Sequence, residues 1–252
     1  MLLLFDVGNT HTHVGFSKGR RILRSVDLKT AGWRSRKVHA DLADFLGGAA
    51  IESAAIASVV PKATPFIRRW LRAQGIPAPY ELTSDTVAGV GIDYPKPSAI
   101  GADRLANAVA VRHRFGAPAV VVAFGTAVAF DVVDKSGNYV GGVIAPGLSA
   151  MTDYLHEKTA LLPRIEIREP RGVIGKTTEQ AMLVGAVHGY RGLIRELIVR
   201  LKAELGVKKL PVVATGGYAR LIAARLPEIS AVVPNLTLEG LRLSFELSRR
   251  TP

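Results

Sequence analysis

The chain contains no cysteine in its 252 residues. Disulfides, thiolate nucleophiles and cysteine-ligated zinc or iron–sulfur centres are therefore excluded, and the composition fits a reducing compartment. Aromatic residues are few, at 6%, and they are not interleaved with the basic cluster in the manner of a single-strand-binding platform. Long apolar runs are missing too. The opening stretch from Met1 to Phe5 is stopped by Asp6, no charged segment leads into a signal-length run, and nothing approaches membrane-spanning length. The expectation is a soluble, cytoplasmic protein without membrane attachment. Acidic residues are in short supply, 21 against 33 Lys and Arg, which leaves a formal charge of +12. From Lys18 to Lys37 there are eight basic residues and a single acid, Asp27. Such a field attracts nucleotides, coenzymes, nucleic acids or anionic surfaces, but a solvated basic face meets the same count. Nucleic-acid binding does not follow from it.

What is present is an ordinary globular balance, 48% hydrophobic and 21% charged, on a chain long enough for one large domain or two smaller ones. Strands are expected at Met1–Phe5, Thr12–Phe16, Arg21–Leu28 and Ser53–Val60. Helices are expected over Lys37–Leu46, where Gly47 can take the left-handed stop, and over Ile67–Ala73. Thr86–Ser98, rich in Gly and Pro, reads as an irregular connector. A helix over Ala102–His113 then leads to strands at Ala119–Ala123, Val128–Val133 and Tyr139–Ile144, with a hairpin turn at Lys135–Asn138. Thr177 and Gln180 have the spacing of a capping box. They open a long helix, interrupted or not, that runs to about Leu205. Gly185, Gly189 and Gly192 share one of its faces, which suits close approach of another backbone. Pro211–Ala214 is a strand and Thr237–Arg249 a final helix.

The chain repeats itself. Leu2–Gly8 overlays on Ala119–Gly125 without a gap, each a buried strand delivering a glycine turn and then two more strands. The expected architecture is α/β, with two duplicated lobes around a cleft, divided at residues 1–98 and 99–252.

Asp6-Val7-Gly8-Asn9-Thr10-His11-Thr12 places a carboxylate at a strand end, where it can hold a hydrated Mg²⁺. The turn amides, Asn9 and the Thr10 and Thr12 hydroxyls can ring a phosphate. A plain hairpin turn would use the same residue types. Gly125-Thr126 offers a matching turn in the second repeat, which favours a nucleotide clamped by both. Gly216-Gly217, after a strand, lets a base or ribose approach the backbone. Gly101-Ala102-Asp103-Arg104 opens a helix. Its acid can serve as a cap or can accept a hydroxyl proton, while the arginine holds a substrate carboxylate. Other matches fail. Gly172–Thr177 imitates a P-loop, but Pro170 stands where its first glycine belongs, and Gly89–Tyr94 lacks the third glycine of a dinucleotide fingerprint. His11 and His13 lack a further metal ligand. No nucleophile-elbow serine is present.

In this order the segments Asp6–Thr10, Gly101–Arg104, Phe124–Ala127, Gly141–Gly147, Ile174–Thr178, Ala214–Gly217 and Leu236–Leu241 resemble the type III pantothenate kinases. These belong to the acetate and sugar kinase/Hsp70/actin superfamily. The resemblance covers nearly the whole chain and implies an actin-like ATPase fold of two ribonuclease H-like lobes. It also implies ATP-dependent phosphorylation of the terminal hydroxyl of pantothenate, the first step toward coenzyme A. It implies that Asp6, Val7, Gly8, Asn9, Thr10, His11, Thr12 and His13 form the first phosphate loop and that Thr126 contacts nucleotide. Tyr94, Gly101, Ala102, Asp103 and Arg104 would hold pantothenate, with Asp103 as proton acceptor. Thr178 would reach pantothenate from the neighbouring subunit of a homodimer whose active site is shared. The chain departs from that pattern at Ala123, where the family has an aspartate that binds a monovalent cation (K⁺ or NH₄⁺), and at Val233, where it tends to have another. Losing an ion beside polyphosphate costs about 1–4 kcal/mol. The alternative is therefore a weak or inactive paralogue that binds nucleic acid or an acidic partner through its basic surface.

Overall fold

Strand β1 (Leu2–Val7) is apolar except for Asp6 and lies in the middle of a sheet. Strand β2 (His11–Lys18) folds back antiparallel on it, with Asp6 opposite His13 and Val7 opposite Thr12, and β3 (Arg21–Lys29) continues the meander. After helix α1 (Arg36–Leu46), closed by Gly47 at φ 55°, strand β4 (Ser53–Ser58) pairs parallel with β1. Helix α2 (Thr64–Ala73) and the short β5 (Tyr80–Glu81) complete the order β3-β2-β1-β4-β5. The computed structural model describes residues 1–250.

Because strand side chains alternate, β1 serves two cores. Leu3, Phe5 and Val7 face Trp33, Leu42, Ile67 and Leu71, largely from α1 and α2. Leu2 and Leu4 face the other way, toward Leu105 and Ala106 of α3 (Ala102–Phe115) and toward Leu238 and Leu241. Each such buried aliphatic side chain contributes about 1.5–3 kcal/mol. The Gly- and Pro-rich connector before α3 is not wholly irregular, since its Gly91–Ile92 forms a short strand, β6.

Strands β7 (Ala119–Phe124), β8 (Ala127–Val133) and β9 (Asn138–Pro146) repeat the meander. An unexpected helix, α4 (Leu148–Lys158), follows, and then α5 (Thr178–Val184). Thr177 caps α5 by accepting from the Gln180 amide, but the Gln180 side chain accepts from the Lys176 amide, one residue before the position a strict capping box uses. The long helix is interrupted: Gly185–Gly189 winds as a π-turn before α6 (Tyr190–Glu204). Strand β10 (Val212–Gly216), helix α7 (Ala219–Ala223), strand β11 (Ala231–Val232) and helix α8 (Leu236–Ser248) finish the chain. The second sheet has the order β11-β10-β7-β8-β9, and β6 pairs with the first residues of β9.

By contacts the chain forms two compact units. One holds Met1–Gly116, Gly137–Val140 and the segment from Asn235; the other holds Ala117–Ser136 and Gly141–Pro234. The expected division at 98/99 follows chain order, whereas α3 and α8 group by contact with the first sheet. In that unit α3 and α8 touch backbone to backbone, for a methyl placed on Gly240 would lie 1.8 Å from the Ala106 carbonyl oxygen.

Candidate active site

In the first unit the strand alternation that buries Leu2 and Leu4 against α3 also turns Asp6 to that side. Asp103 stands in the first turn of the same helix. The two carboxylates feel each other. Burial first, and the Asp103 charge second, push the Asp6 carboxyl from 3.8 up to about 7, against a smaller lowering by His13. Burial also raises Asp103, partly offset by the Arg104 amide, which donates to its Oδ1 at 2.9 Å, and by the Arg104 charge. Two acids sharing a desolvated place are poised for a cation or a proton. Among the described residues no group of three or more His, Cys, Asp or Glu could hold a metal ion by itself. Asp6 would need water and ligand oxygens to complete a shell.

The turn between β1 and β2 is fixed from below. The Gly8 amide donates to the His11 carbonyl at 3.0 Å, the Thr30 hydroxyl donates to the Gly8 carbonyl at 2.7 Å, and the Thr30 amide donates to the Thr10 carbonyl at 3.0 Å. Asn9, Thr10 and His11 are exposed. Thr12 is not available at this turn. It is fully buried, and its hydroxyl is engaged by Thr30 at 3.0 Å and by the Trp33 indole at 2.9 Å. The period of two that puts His11 and His13 on one face puts Thr12 on the other, so the expected phosphate contact from its hydroxyl is not offered. His13 is half-buried, with Nδ1 at 2.6 Å from Asp27 and Nε2 at 3.0 Å from the Asn235 side-chain oxygen. Burial alone would lower its pKa. The hydrogen bonds to Asp27 and Asn235 reverse that and raise it.

Arg104 lies 5.6 Å from the centroid of the Tyr139 ring, a cation–π distance, and Tyr94 lies 6.1 Å from the same ring. Tyr94, Asp103, Arg104 and Tyr139 thus form one wall. Gly101 is tied to it, since a methyl there would meet the Asp103 carboxylate at 2.6 Å. Ala102 is buried behind the wall. Tyr139, Thr30, Asp27 and Asn235 carried no motif signal, because their partners are distant in sequence.

In the second unit Gly125 and Thr126 are exposed on the turn between β7 and β8. Gly147 packs against this turn so closely that a methyl there would fall 2.3 Å from the Thr126 carbonyl oxygen. The two glycines after β10 differ. Gly216, at φ 93°, leaves no room for a side chain because the Phe124 backbone is 2.4 Å from its would-be methyl, whereas Gly217 faces open space. Gly216 answers to its own fold, whereas Gly217, whose amide donates to the Phe124 carbonyl at 3.1 Å, is open at its Cα. Ala123 lies across from Ala129 and Thr215, and the Thr215 hydroxyl donates to the Pro234 carbonyl. Thr178 is exposed at the start of α5, its hydroxyl without a partner among the described residues.

Two sheets with one strand order, each presenting a glycine turn at the end of its central strand, define the two-lobed α/β fold of the actin-like ATPases and sugar kinases. Solved structures share it: a conserved Baf family protein from Campylobacter jejuni at TM-score 0.60 and 16% identity, covering 98% of this chain and 99% of that one. Component A of (R)-2-hydroxyglutaryl-CoA dehydratase from Acidaminococcus fermentans aligns at TM-score 0.53 and 14% identity, covering 99% and 98%.

The family description "Type III pantothenate kinase" matches residues 2–200. A type III pantothenate kinase of Akkermansia muciniphila is 46% identical over 98% of both chains. One from Methylacidiphilum infernorum is 43% identical over 98% of this chain and 88% of its own length. The chain belongs to the type III pantothenate kinase family.

Proposed function

We propose that this protein transfers the γ-phosphoryl group of ATP to the terminal hydroxyl of pantothenate, giving 4'-phosphopantothenate and ADP at the start of coenzyme A synthesis. The observation that carries this reading is the pair of desolvated carboxylates, Asp6 at the end of β1 and Asp103 in the first turn of α3: burial first, and the Asp103 charge second, push Asp6 up to about 7. Paired carboxylates of unequal role, one for a metal and one for a proton, suit phosphoryl transfer to an alcohol.

The assignments follow from exposure and chemistry. The exposed Asn9, Thr10 and His11 face the phosphate oxygens, while Val7, Gly8 and His13, whose polar groups are held by the hairpin, Asp27 and Asn235, shape the turn beneath them. Gly125 and Thr126, the same structural device in the second repeat, serve nucleotide phosphate as well, and Gly217 offers a base or ribose a bare backbone. The Asp6 carboxylate fits Mg²⁺ held through water, and the ion when bound neutralises charge on the transferring phosphate. Ala123 offers a monovalent cation no anionic ligand, since its side chain ends in a methyl group. Arg104, steadied over Tyr139, takes the pantothenate carboxylate, with Tyr94 beside it. Asp103 accepts the hydroxyl proton as that oxygen bonds to the γ-phosphorus and the bond to ADP breaks. Alignment and charge neutralisation supply most of the acceleration.

A homodimer is part of the reading. Gly185, Gly189 and Gly192 are exposed, and beyond their own helical backbone methyls placed on them would meet no atom of the described residues within 4 Å. Nearby in sequence Val173 and Ile174 are 73% and 82% exposed. A second copy covering this surface would bring Thr178 to the acceptor. No helix among the described residues is long and apolar enough to cross a membrane, and a cysteine-free chain suits the cytoplasm.

The test is Asp103→Asn. Phosphorylation of pantothenate in a coupled ATPase assay should fall by roughly a thousandfold, while nucleotide binding measured by calorimetry persists. Normal turnover by that variant would refute the assignment of the base.

A further inference from the structure

The geometry points to a second anion site in the first unit, an arginine-lined cleft that takes a small molecule bearing two or more phosphate groups. The cleft has a volume of about 410 Å³ and lies among the β2–β3 turn, the C-terminal end of α3 and the outer face of α8. Arg20, Arg21, Arg114 and Arg242 line it with His113 and Glu239. None of these was assigned to the nucleotide or to pantothenate, and the inference does not rest on the kinase reading. Arg114 is eleven residues beyond Asp103 on α3, about 16 Å along a helix axis, so the cleft is not the site at that helix's start.

The charges there are built in and incompletely answered. Arg242 is 6% exposed at its side chain, an unusual place for a guanidinium. Its Nη1 donates to Glu246 at 2.8 Å, while its buried Nε has no partner among the described residues. Arg114 pairs with Glu239 at 3.0 Å. Arg20 and Arg21, exposed on the turn that Gly19 closes at φ 56°, have no acidic partner among the described residues, and neither has His113. Four arginines set against Glu239 and Glu246 leave the cleft with a surplus of two positive charges. Planar guanidinium forks bind phosphate oxygens two at a time, and two or more phosphates are needed to use several forks together.

The shape argues for a small ligand over a nucleic acid. The volume falls within the range of small-molecule pockets. No Phe, Tyr or Trp lines the cleft, so it lacks the row of rings that a single strand would stack on. Ile22 and Leu243 give it a modest apolar side suited to a carbon skeleton attached to the phosphates. Asn235 lines the cleft and also accepts from His13 at 3.0 Å, so an occupant would lie beside a residue in contact with the β1–β2 hairpin.

The experiment measures pyrophosphate binding by calorimetry at physiological salt, using the wild-type chain and two double variants of equal charge change. R20S/R21S empties the cleft's exposed rim. R36S/K37S removes two exposed charges at the start of α1, outside the cleft. The expected result is a pyrophosphate site weakened roughly tenfold or more by R20S/R21S, the loss of about one charge-assisted contact, and unchanged by R36S/K37S. Absence of binding, retention of full affinity in R20S/R21S, or equal weakening in both variants, which would signal only the general basic field, overturns the proposal. So does a short DNA duplex that binds more tightly than pyrophosphate and is lost with the same two arginines, because the face would then read nucleic acid.

Discussion

The first and second hairpins are the same object built twice, and they differ at the position that matters for charge. Strand β1 has the burial sequence of five closed positions interrupted once, at Asp6; β7 has the same sequence interrupted at Ala123. The following strands, β2 and β8, share their pattern as well, and each sheet continues with a parallel neighbour, β4 or β10. The fold therefore opens the same notch in each repeat. In the first it holds a carboxylate opposite His13, and in the second a methyl group opposite Ala129. Matching strand patterns leave the chemistry to one side chain: the first notch carries a carboxylate, and the second does not.

The largest effect should come from making the notches alike by neutralising the first. Asp6→Asn should lower phosphorylation by roughly a hundredfold or more and at the same time stabilise the protein above neutral pH. The sign follows from linkage. The folded pKa of about 7 lies above the ordinary 3.8, so the folded state holds more protons between those values and stability falls as pH rises through that window. Removing the carboxylate should return about 1–4 kcal/mol at pH 8, read as a higher denaturation midpoint with a flatter pH dependence. A less stable Asp6→Asn at pH 8 would mean that the carboxylate is not in a desolvated pair.

Changing the second notch should have a smaller effect. In the wild type, exchanging K⁺ for Na⁺ at fixed ionic strength should leave the rate within about twofold, since Ala123 gives a cation no anionic ligand. Ala123→Asp should lose about 1–3 kcal/mol of stability without K⁺, the cost of an unpaired half-buried carboxylate, and regain it with K⁺. Strong potassium activation of the wild type would show that the second notch recruits its cation from other oxygens.

This duplication was legible in the sequence because it is local. A gapless overlay of Leu2–Gly8 on Ala119–Gly125 needs only strand periodicity and a glycine, and the paired sheets bear it out. Gly47 as a left-handed stop and the start of α3 at Ala102 were legible for the same reason. What stayed hidden was set by tertiary contact. The commitment of the Thr12 hydroxyl to Trp33 depends on a residue 21 positions away, and the grip of Asn235 on His13 spans 222. Helix α4 gave no signal because only Leu148 and Thr152 of it are buried, too few for an apolar stripe. The π-turn could be anticipated only as a possible break. Gly185 and Gly189 bound it, and glycine lowers the cost of leaving the α-helical ladder.

The smallest effects separate the two turns themselves. A methyl on Gly8 would sit 3.0 Å from the His11 carbonyl oxygen, whereas one on Gly125 would sit 3.4 Å from the Ala127 carbonyl oxygen, an ordinary contact. Neither glycine has a positive φ. Gly8→Ala should therefore cost about 1 kcal/mol of stability and Gly125→Ala within about 0.5 kcal/mol. If both turns hold phosphate, each methyl still intrudes where the ligand meets bare backbone, and the KM for ATP should rise roughly fivefold to tenfold in both variants, with kcat changed less. A Gly125→Ala protein with wild-type KM would restrict phosphate binding to the first hairpin. The repeat would then be structural in its second copy, a scaffold that kept the notch and turn without their ligand.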